Sequence, residues 1–300
     1  MNILITGATG FIGRNLLKVI ETNYEYENDE VILLTSKEIM GYKCIIHSNY
    51  TFSKDDFIKK GVSEIDIVIH IGAYTPKTSL EANKVKESIS NITNTECLLD
   101  CLPSIPKKVI YLSTIDVYGP VTGIIKEETP TVPCTLYGQS KLFIEKMLER
   151  WAEENNVILQ ILRIGHIYGE GEDAYKKILP MTIKMILESK PPVIYTDGKE
   201  KRSFLYITDC CNLILKSLEI DKYVGPINVV SDKEVSILEL VNIIIGVSGR
   251  NIKPIVKNNN TNAKDFIFVN EKMIRYLGEE SVSLREGIIK EYEYFKNKLN

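Results

Sequence analysis

Residues 3–14 read Ile-Leu-Ile-Thr-Gly-Ala-Thr-Gly-Phe-Ile-Gly-Arg, and this stretch decides the fold. Ile3, Leu4 and Ile5 make a short apolar run. Gly7, Gly10 and Gly13 follow at three-residue intervals, and Phe11, Ile12, Leu16, Leu17, Val19 and Ile20 then recur with helical spacing. The expectation is strand, tight turn, amphipathic helix. Glycine lets the backbone turn sharply and lets a ligand approach the main chain, and a helix starting there aims unpaired N–H groups and its dipole at an anion. The turn is a candidate cradle for a dinucleotide pyrophosphate, with Gly7, Thr9, Gly10, Phe11, Ile12, Gly13 and Arg14 as contacts. The spacing is GxxGxxG rather than the commoner GxGxxG, so its context carries the reading.

That context is a regular alternation. Val31 to Leu34, Ile65 to Ile71, Lys108 to Ser113 and Val157 to Leu162 read as short buried strands with amphipathic segments between them. Strands alternating with helices predict an α/β fold with a doubly wound parallel sheet (Rossmann) and a smaller C-terminal substrate-binding lobe. Residues 1–168 are assigned to a dinucleotide-binding domain, to which 202–230 return; 169–201 and 231–300 are assigned to the lobe. The tract from Asn258 to Asn262 reads as a surface loop.

Composition excludes several classes. A 300-residue chain with 44% hydrophobic and 26% charged residues has the balance of a globular protein with a substantial core. A formal net charge of -3 argues against a nucleic-acid partner. No apolar run is long enough to span a bilayer and no leader precedes the first strand, so the expectation is a cytoplasmic protein without a membrane partner. None of the 6 cysteines has metal-ligand spacing with the 3 histidines nearby, so no metal is expected.

The chemistry concentrates at Tyr137 and Lys141. Their i, i+4 spacing places both on one helix face, where the ammonium lowers the phenol's pKa and can hold a ribose hydroxyl. Four other Tyr-x-x-x-Lys pairs occur in the chain, as at Tyr50 and Lys54, so spacing alone decides nothing. The pair at 137 follows a strand that ends in hydroxyls, Leu112-Ser113-Thr114-Ile115-Asp116-Val117-Tyr118-Gly119, at the side where open parallel sheets bind ligands.

Taken with Gly7-x-x-Gly10-x-x-Gly13, the segment Ser113–Gly119, Tyr137-Gly-Gln-Ser-Lys141, Leu162-Arg163 with Tyr168-Gly169, and Arg202-Ser-Phe-x-Tyr-x-x-Asp209, the chain resembles the extended short-chain dehydrogenase/reductases. That family comprises nucleotide-sugar epimerases, dehydratases and ketoreductases. The resemblance implies Tyr137 as general acid or base, Lys141 as its electrostatic partner, and Thr114 as the hydroxyl that orients the sugar, with Ser113 as the alternative. It implies Arg202 as the contact to the substrate diphosphate, and places His166 where many relatives carry an asparagine near that group. It also implies a homodimer formed through a four-helix bundle of the helices around Tyr137–Glu153 and Ser88–Leu99. Ala73, Tyr74 and Thr75, after the strand holding His70, are expected to border nicotinamide and sugar, and Asn91 to brace the strand carrying Thr114.

The cofactor is read from the end of the second strand. An NAD site usually carries an acidic residue there; this chain has Thr35, Ser36 and Lys37. A hydroxyl pair with a cation suits a 2′-phosphate, so NADP(H) is favoured, with NAD(H) as the alternative. His47, Ser48 and Asn49 replace the aspartate that relatives often carry near the adenine. NADP(H) favours NADPH-dependent reduction of a nucleotide-linked 4-keto sugar; the alternative is a 4-epimerase with tightly bound NAD. Dehydration is less favoured, because Ile115 replaces one of the two acidic groups and leaves Asp116 alone. A non-catalytic NAD(P) sensor ranks last, since it needs no proton donor.

Overall fold

The computed structural model describes residues 1–22, 29–121, 123–259 and 264–299; positions 260–262 of the asparagine tract lie outside them. Seven strands form one sheet: β1 (Asn2–Thr6), β2 (Glu30–Thr35), β3 (Lys43–Ile46), β4 (Ile67–His70), β5 (Lys108–Thr114), β6 (Ile158–Ile164) and β7 (Ile227–Val229). All neighbours pair in parallel, in the order β3-β2-β1-β4-β5-β6-β7. The order reverses between β1 and β4. Such a switch point opens a crevice at the carboxyl ends of the strands.

Both faces of the sheet are covered, which is why its strands are almost wholly apolar. Ile3, Ile5, Leu33, Ile69, Ile110 and Leu112 point into one core; Leu4, Ile32, Leu34, Val68, Val109 and Tyr111 point into the other. The first core takes α1 (Phe11–Thr22) and α6 (Ile207–Lys216), which pack on each other. The second takes α2 (Lys54–Lys59), α3 (Val85–Cys101) and α4 (Leu136–Asn155), through Phe57, Leu98, Ile144 and Leu148. Beyond the sheet, α5 (Ile178–Leu187), α7 (Ile237–Ser248) and α9 (Leu284–Leu299) pack together, and α8 (Glu271–Leu277) lies against β7.

Two local devices aim these elements. A Cβ at Gly13 would fall 2.2 Å from the Gly7 carbonyl oxygen, so only glycine lets α1 start this close to the end of β1. At the start of α4, the Thr135 hydroxyl caps the helix by accepting from the Gly138 amide (3.1 Å). A Cβ at Gly138 would fall 2.7 Å from the Asp116 carbonyl oxygen. The first turn of α4, which carries Tyr137, therefore rests directly on the 3₁₀ turn Ile115–Tyr118.

Candidate active site

A cavity of about 940 Å³ lies over the carboxyl ends of β1, β4, β5 and β6. The glycine turn forms one wall, the segment after β4 another, Tyr137 and Lys141 a third, and Tyr175 to Lys177 the side away from the sheet. Lys77 and Lys176 both line it, and the Lys176 amide donates to the Lys77 carbonyl (3.2 Å), tying two walls together.

The residues of the glycine turn fit a dinucleotide pyrophosphate. Gly7, Thr9, Gly10, Phe11 and Ile12 line the cavity. Gly10 donates to the Gly7 carbonyl (2.9 Å), and the first in-helix bond runs from the Arg14 amide to the Gly10 carbonyl (3.0 Å), so the amides of the first turn of α1 have no helical partner. They supply the donor set an anion needs.

Tyr137 is buried, and burial followed by the Asp116 charge raises its phenol above the ordinary tyrosine value, against the Thr75 and Thr114 hydroxyls that share the site and pull it down. Lys141, 2% exposed, sits one turn further along α4; its ammonium donates to the Leu112 carbonyl (2.5 Å) and lies 4.4 Å from the centre of the Tyr111 ring. Burial pulls the Lys141 amine down to about 7, against the pull of the Glu145 carboxylate. Thr114 caps the 3₁₀ turn, accepting from the Asp116 amide (3.2 Å), and its hydroxyl also meets the Tyr137 phenol. Ser113 also lines the cavity, but its hydroxyl is turned to α4. Its hydroxyl donates to Glu145 (2.5 Å), so it is not an alternative to Thr114.

Asp116 lines the cavity, open to solvent through it yet enclosed by protein elsewhere; this enclosure raises its carboxyl pKa, and the Lys177 ammonium opposes the rise. Lys177 is itself paired with buried Glu172 (2.8 Å). Ala73, Tyr74 and Thr75 line the cavity. Asn91 does not brace the strand carrying Thr114: it accepts from the Tyr74 amide (2.7 Å) and donates to the Tyr74 carbonyl (3.1 Å). The reason is reach, since α3 passes the loop after β4. His70 continues this support. Thr95 gives its one proton to the Asn91 carbonyl (2.8 Å) and so accepts from His70 Nε2 (2.9 Å), leaving Nδ1 to accept from Thr6 (2.8 Å), whose oxygen takes the Gly72 amide (2.8 Å). His70 is thus neutral and structural, with burial pulling its imidazole down to about 3.

The remaining expected residues fall outside this constellation or at its edge. Thr35 is buried and its hydroxyl donates to the Lys37 carbonyl (3.1 Å), closing its own turn; Ser36 and Lys37 are exposed and outside the cavity lining. Arg14 reaches the Gly171 carbonyl (3.3 Å). The hydroxyl pair read as a phosphate site is therefore half consumed. His166 lines the cavity with Nδ1 unpartnered, and burial lowers its imidazole to about 3. Arg202 lies outside the lining; its Nη1 donates to the carbonyls of Lys201 (2.7 Å) and Lys264 (2.6 Å), over the Phe266 ring.

Sequence reasoning missed the buried network behind the cavity. Glu145 is 0% exposed and accepts from Arg163 Nε (3.0 Å) and Nη2 (2.7 Å); Arg163 Nη1 donates to the Tyr118 hydroxyl (2.8 Å), which donates to Asn228 (2.7 Å). One arginine within the apolar run of β6 was the signal available.

A profile of the NAD-dependent epimerase/dehydratase family matches residues 3–229. The chain belongs to this family. A dTDP-D-glucose 4,6-dehydratase of Dictyostelium discoideum is 30% identical over 82% of this chain, which spans 62% of that protein. A Bacillus subtilis protein described as an uncharacterized UDP-glucose epimerase is 26% identical over 99% of this chain and 98% of its own length. The crystal structure of UDP-glucuronic acid 4-epimerase from Bacillus cereus, in complex with UDP-glucuronic acid and NAD, is 25% identical with a TM-score of 0.84 over 99% of this chain and 100% of that one. These likenesses support NAD and the epimerase alternative better than NADP(H) and keto-sugar reduction. Among the described residues of this epimerase/dehydratase-family chain, no helix is long and apolar enough to cross a membrane, and no group of three or more His, Cys, Asp or Glu is placed to hold a metal.

Proposed function

We propose that the protein is a nucleotide-sugar 4-epimerase that keeps NAD bound. The observation that carries the reading is the convergence of the Thr75, Thr114 and Tyr137 hydroxyls, with Lys141 on the same cavity wall, facing the glycine cradle. Bound NAD would supply a hydride acceptor that is regenerated within each turnover. Tyr137 takes the proton from the sugar hydroxyl and returns it to the same oxygen; Thr114 hydrogen-bonds that oxygen; the charged Lys141 offsets the negative charge on the phenol. The glycine turn and the first amides of α1 hold the pyrophosphate. Tyr74, Thr75, Asp116 and His166 border the sugar, and Arg202 serves the substrate diphosphate once it is released from the two carbonyls it now meets. In this reading residues 1–168, with 202–230, bind the cofactor, and 169–201 with 231–300 cover the nucleotide sugar.

A homodimer through α3 and α4 is part of the proposal. Val85 and Ile89 on α3 and Phe143 on α4 are exposed apolar side chains on the helices that would form the bundle.

The test is direct. Protein purified without added cofactor is denatured and the released nucleotide identified, and UDP- and dTDP-linked hexoses and uronic acids are offered to it with products resolved by chromatography. Release of NAD and interconversion of 4-epimers without added cofactor support the reading. NADPH consumption by a 4-keto sugar with no epimer formed would replace it with the reductase.

A further inference from the structure

Glu145 has no route to solvent and no place on the cavity wall, yet it is ionised, since its two oxygens only accept: from Ser113 at 2.5 Å and from Arg163 at 3.0 and 2.7 Å. Taking such a pair out of water is expensive, and an apolar pair of equal volume would join α4, β5 and β6 more cheaply. Its position supplies a reason for the charge. Glu145 follows Lys141 by one helical turn, which puts the carboxylate on the same face of α4 as the ammonium. Lys141 meets the Leu112 carbonyl and the Tyr111 ring, and among the described residues no carboxylate is in hydrogen-bond contact with it. Arg163 and Ser113 face each other across the β5–β6 register, so the strand that presents Thr114 also fixes the carboxylate.

We propose that Glu145 is a positioning residue: anchored by Ser113 and Arg163, its carboxylate keeps the buried Lys141 ammonium charged beside Tyr137. The proposal rests on the active-site reading only in giving that charge a use. The groups facing Glu145 are Lys141 on its own helix, Ser113 and Tyr111 on β5, Arg163 on β6, with Tyr118 behind Arg163 and Tyr223 from the segment before β7. Of these, Lys141 is the one whose charge is pulled toward neutrality by burial near physiological pH.

The experiment measures Lys141 without needing turnover. The full chain, stripped of bound nucleotide, is treated with trace acetic anhydride across pH 5 to 9, and acetylation of Lys141 is followed by mass spectrometry, with exposed Lys146 as internal reference. The reagent reaches the amine through the cavity that Lys141 lines. In Glu145→Gln the midpoint of Lys141 labelling falls by about one pH unit relative to the parent protein. Glu145→Asp, which keeps charge but shortens the side chain, returns the midpoint toward the parent value. A purely structural role reverses this order, with Gln preserved and Asp impaired. Should Glu145→Gln fail to fold because Arg163 is left buried and unpaired, Glu145→Gln with Arg163→Met removes both charges and still lowers the midpoint. An unmoved midpoint, or equal shifts for Gln and Asp, overturns the proposal. A moved midpoint in a protein that epimerises no sugar upholds it while discarding the epimerase reading.

Discussion

Asn91 on α3 grips Tyr74 by both ends of one residue, accepting from its amide at 2.7 Å and donating to its carbonyl at 3.1 Å. A side-chain amide has both a donor and an acceptor, so one asparagine replaces a strand partner for a loop that has none. The loop it holds carries Thr75 to the Tyr137 hydroxyl. Asn91→Ala therefore costs about 1–3 kcal/mol of stability from unsatisfied backbone groups. It also lowers turnover several-fold, read by thermal melts and epimer formation; unchanged turnover would detach Thr75 from the chemistry.

Tyr137→Phe keeps the ring and removes the proton carrier. Turnover is expected to fall by about 10²–10⁴. Nucleotide retained on purification stays the same, because the pyrophosphate is held by α1 and the glycine turn. Undiminished epimerisation by this variant would remove Tyr137 from the mechanism.

Asp116→Asn tests a different charge. After burial, the Asp116 carboxylate is the leading cause that raises the Tyr137 phenol. Without it the phenol ionises more readily, so the pH at which kcat/KM rises moves downward, with kcat near neutrality kept within about tenfold. Loss of all turnover would instead make Asp116 a proton-transfer group in its own right.

Gly13→Ala places a methyl group 2.2 Å from the Gly7 carbonyl oxygen, so α1 must back away from β1. Overpacking of this kind costs about 1–3 kcal/mol. The amides at the head of the helix move with it, and NAD content falls along with Tm.

The expected acid response follows from His70. Its folded pKa, about 3, lies below the unfolded value of 6.5. The unfolded chain therefore binds a proton that the folded one refuses. Stability is full above about pH 6.5 and is lost as pH falls from there toward 3, at up to about 1.4 kcal/mol per unit. Buried His166, also at about 3, acts in the same sense. Denaturant midpoints measured from pH 7 to 4 should fall less steeply for His70→Gln.

Much of this is legible in the sequence. The glycine turn, five of the seven strands and the pairing of Tyr137 with a hydroxyl-bearing strand follow from local periodicity, because each is written within about twenty residues. Strand β3 escaped notice because it is a four-residue edge strand with only Cys44, Ile45 and Ile46 apolar. The NADP(H) preference leans on Thr35, whose hydroxyl reads as available in the sequence but is spent on Lys37 two residues later. Asn91 was assigned to the wrong neighbour, and the Glu145 network was not foreseen, since both depend on partners 17 or more positions away. Ser113 and Thr114 are adjacent in a strand whose side chains alternate between faces, so only one of them can meet the ligand.

The peptide contact from Lys176 to Lys77 ties two walls of the cavity across nearly a hundred positions of chain and uses main-chain atoms alone. Exchanging either side chain leaves that latch intact. This side of the cavity can thus acquire, lose or invert its charge by substitution at 77 and 176, and so suit differently charged guests, while the frame beneath stays the same.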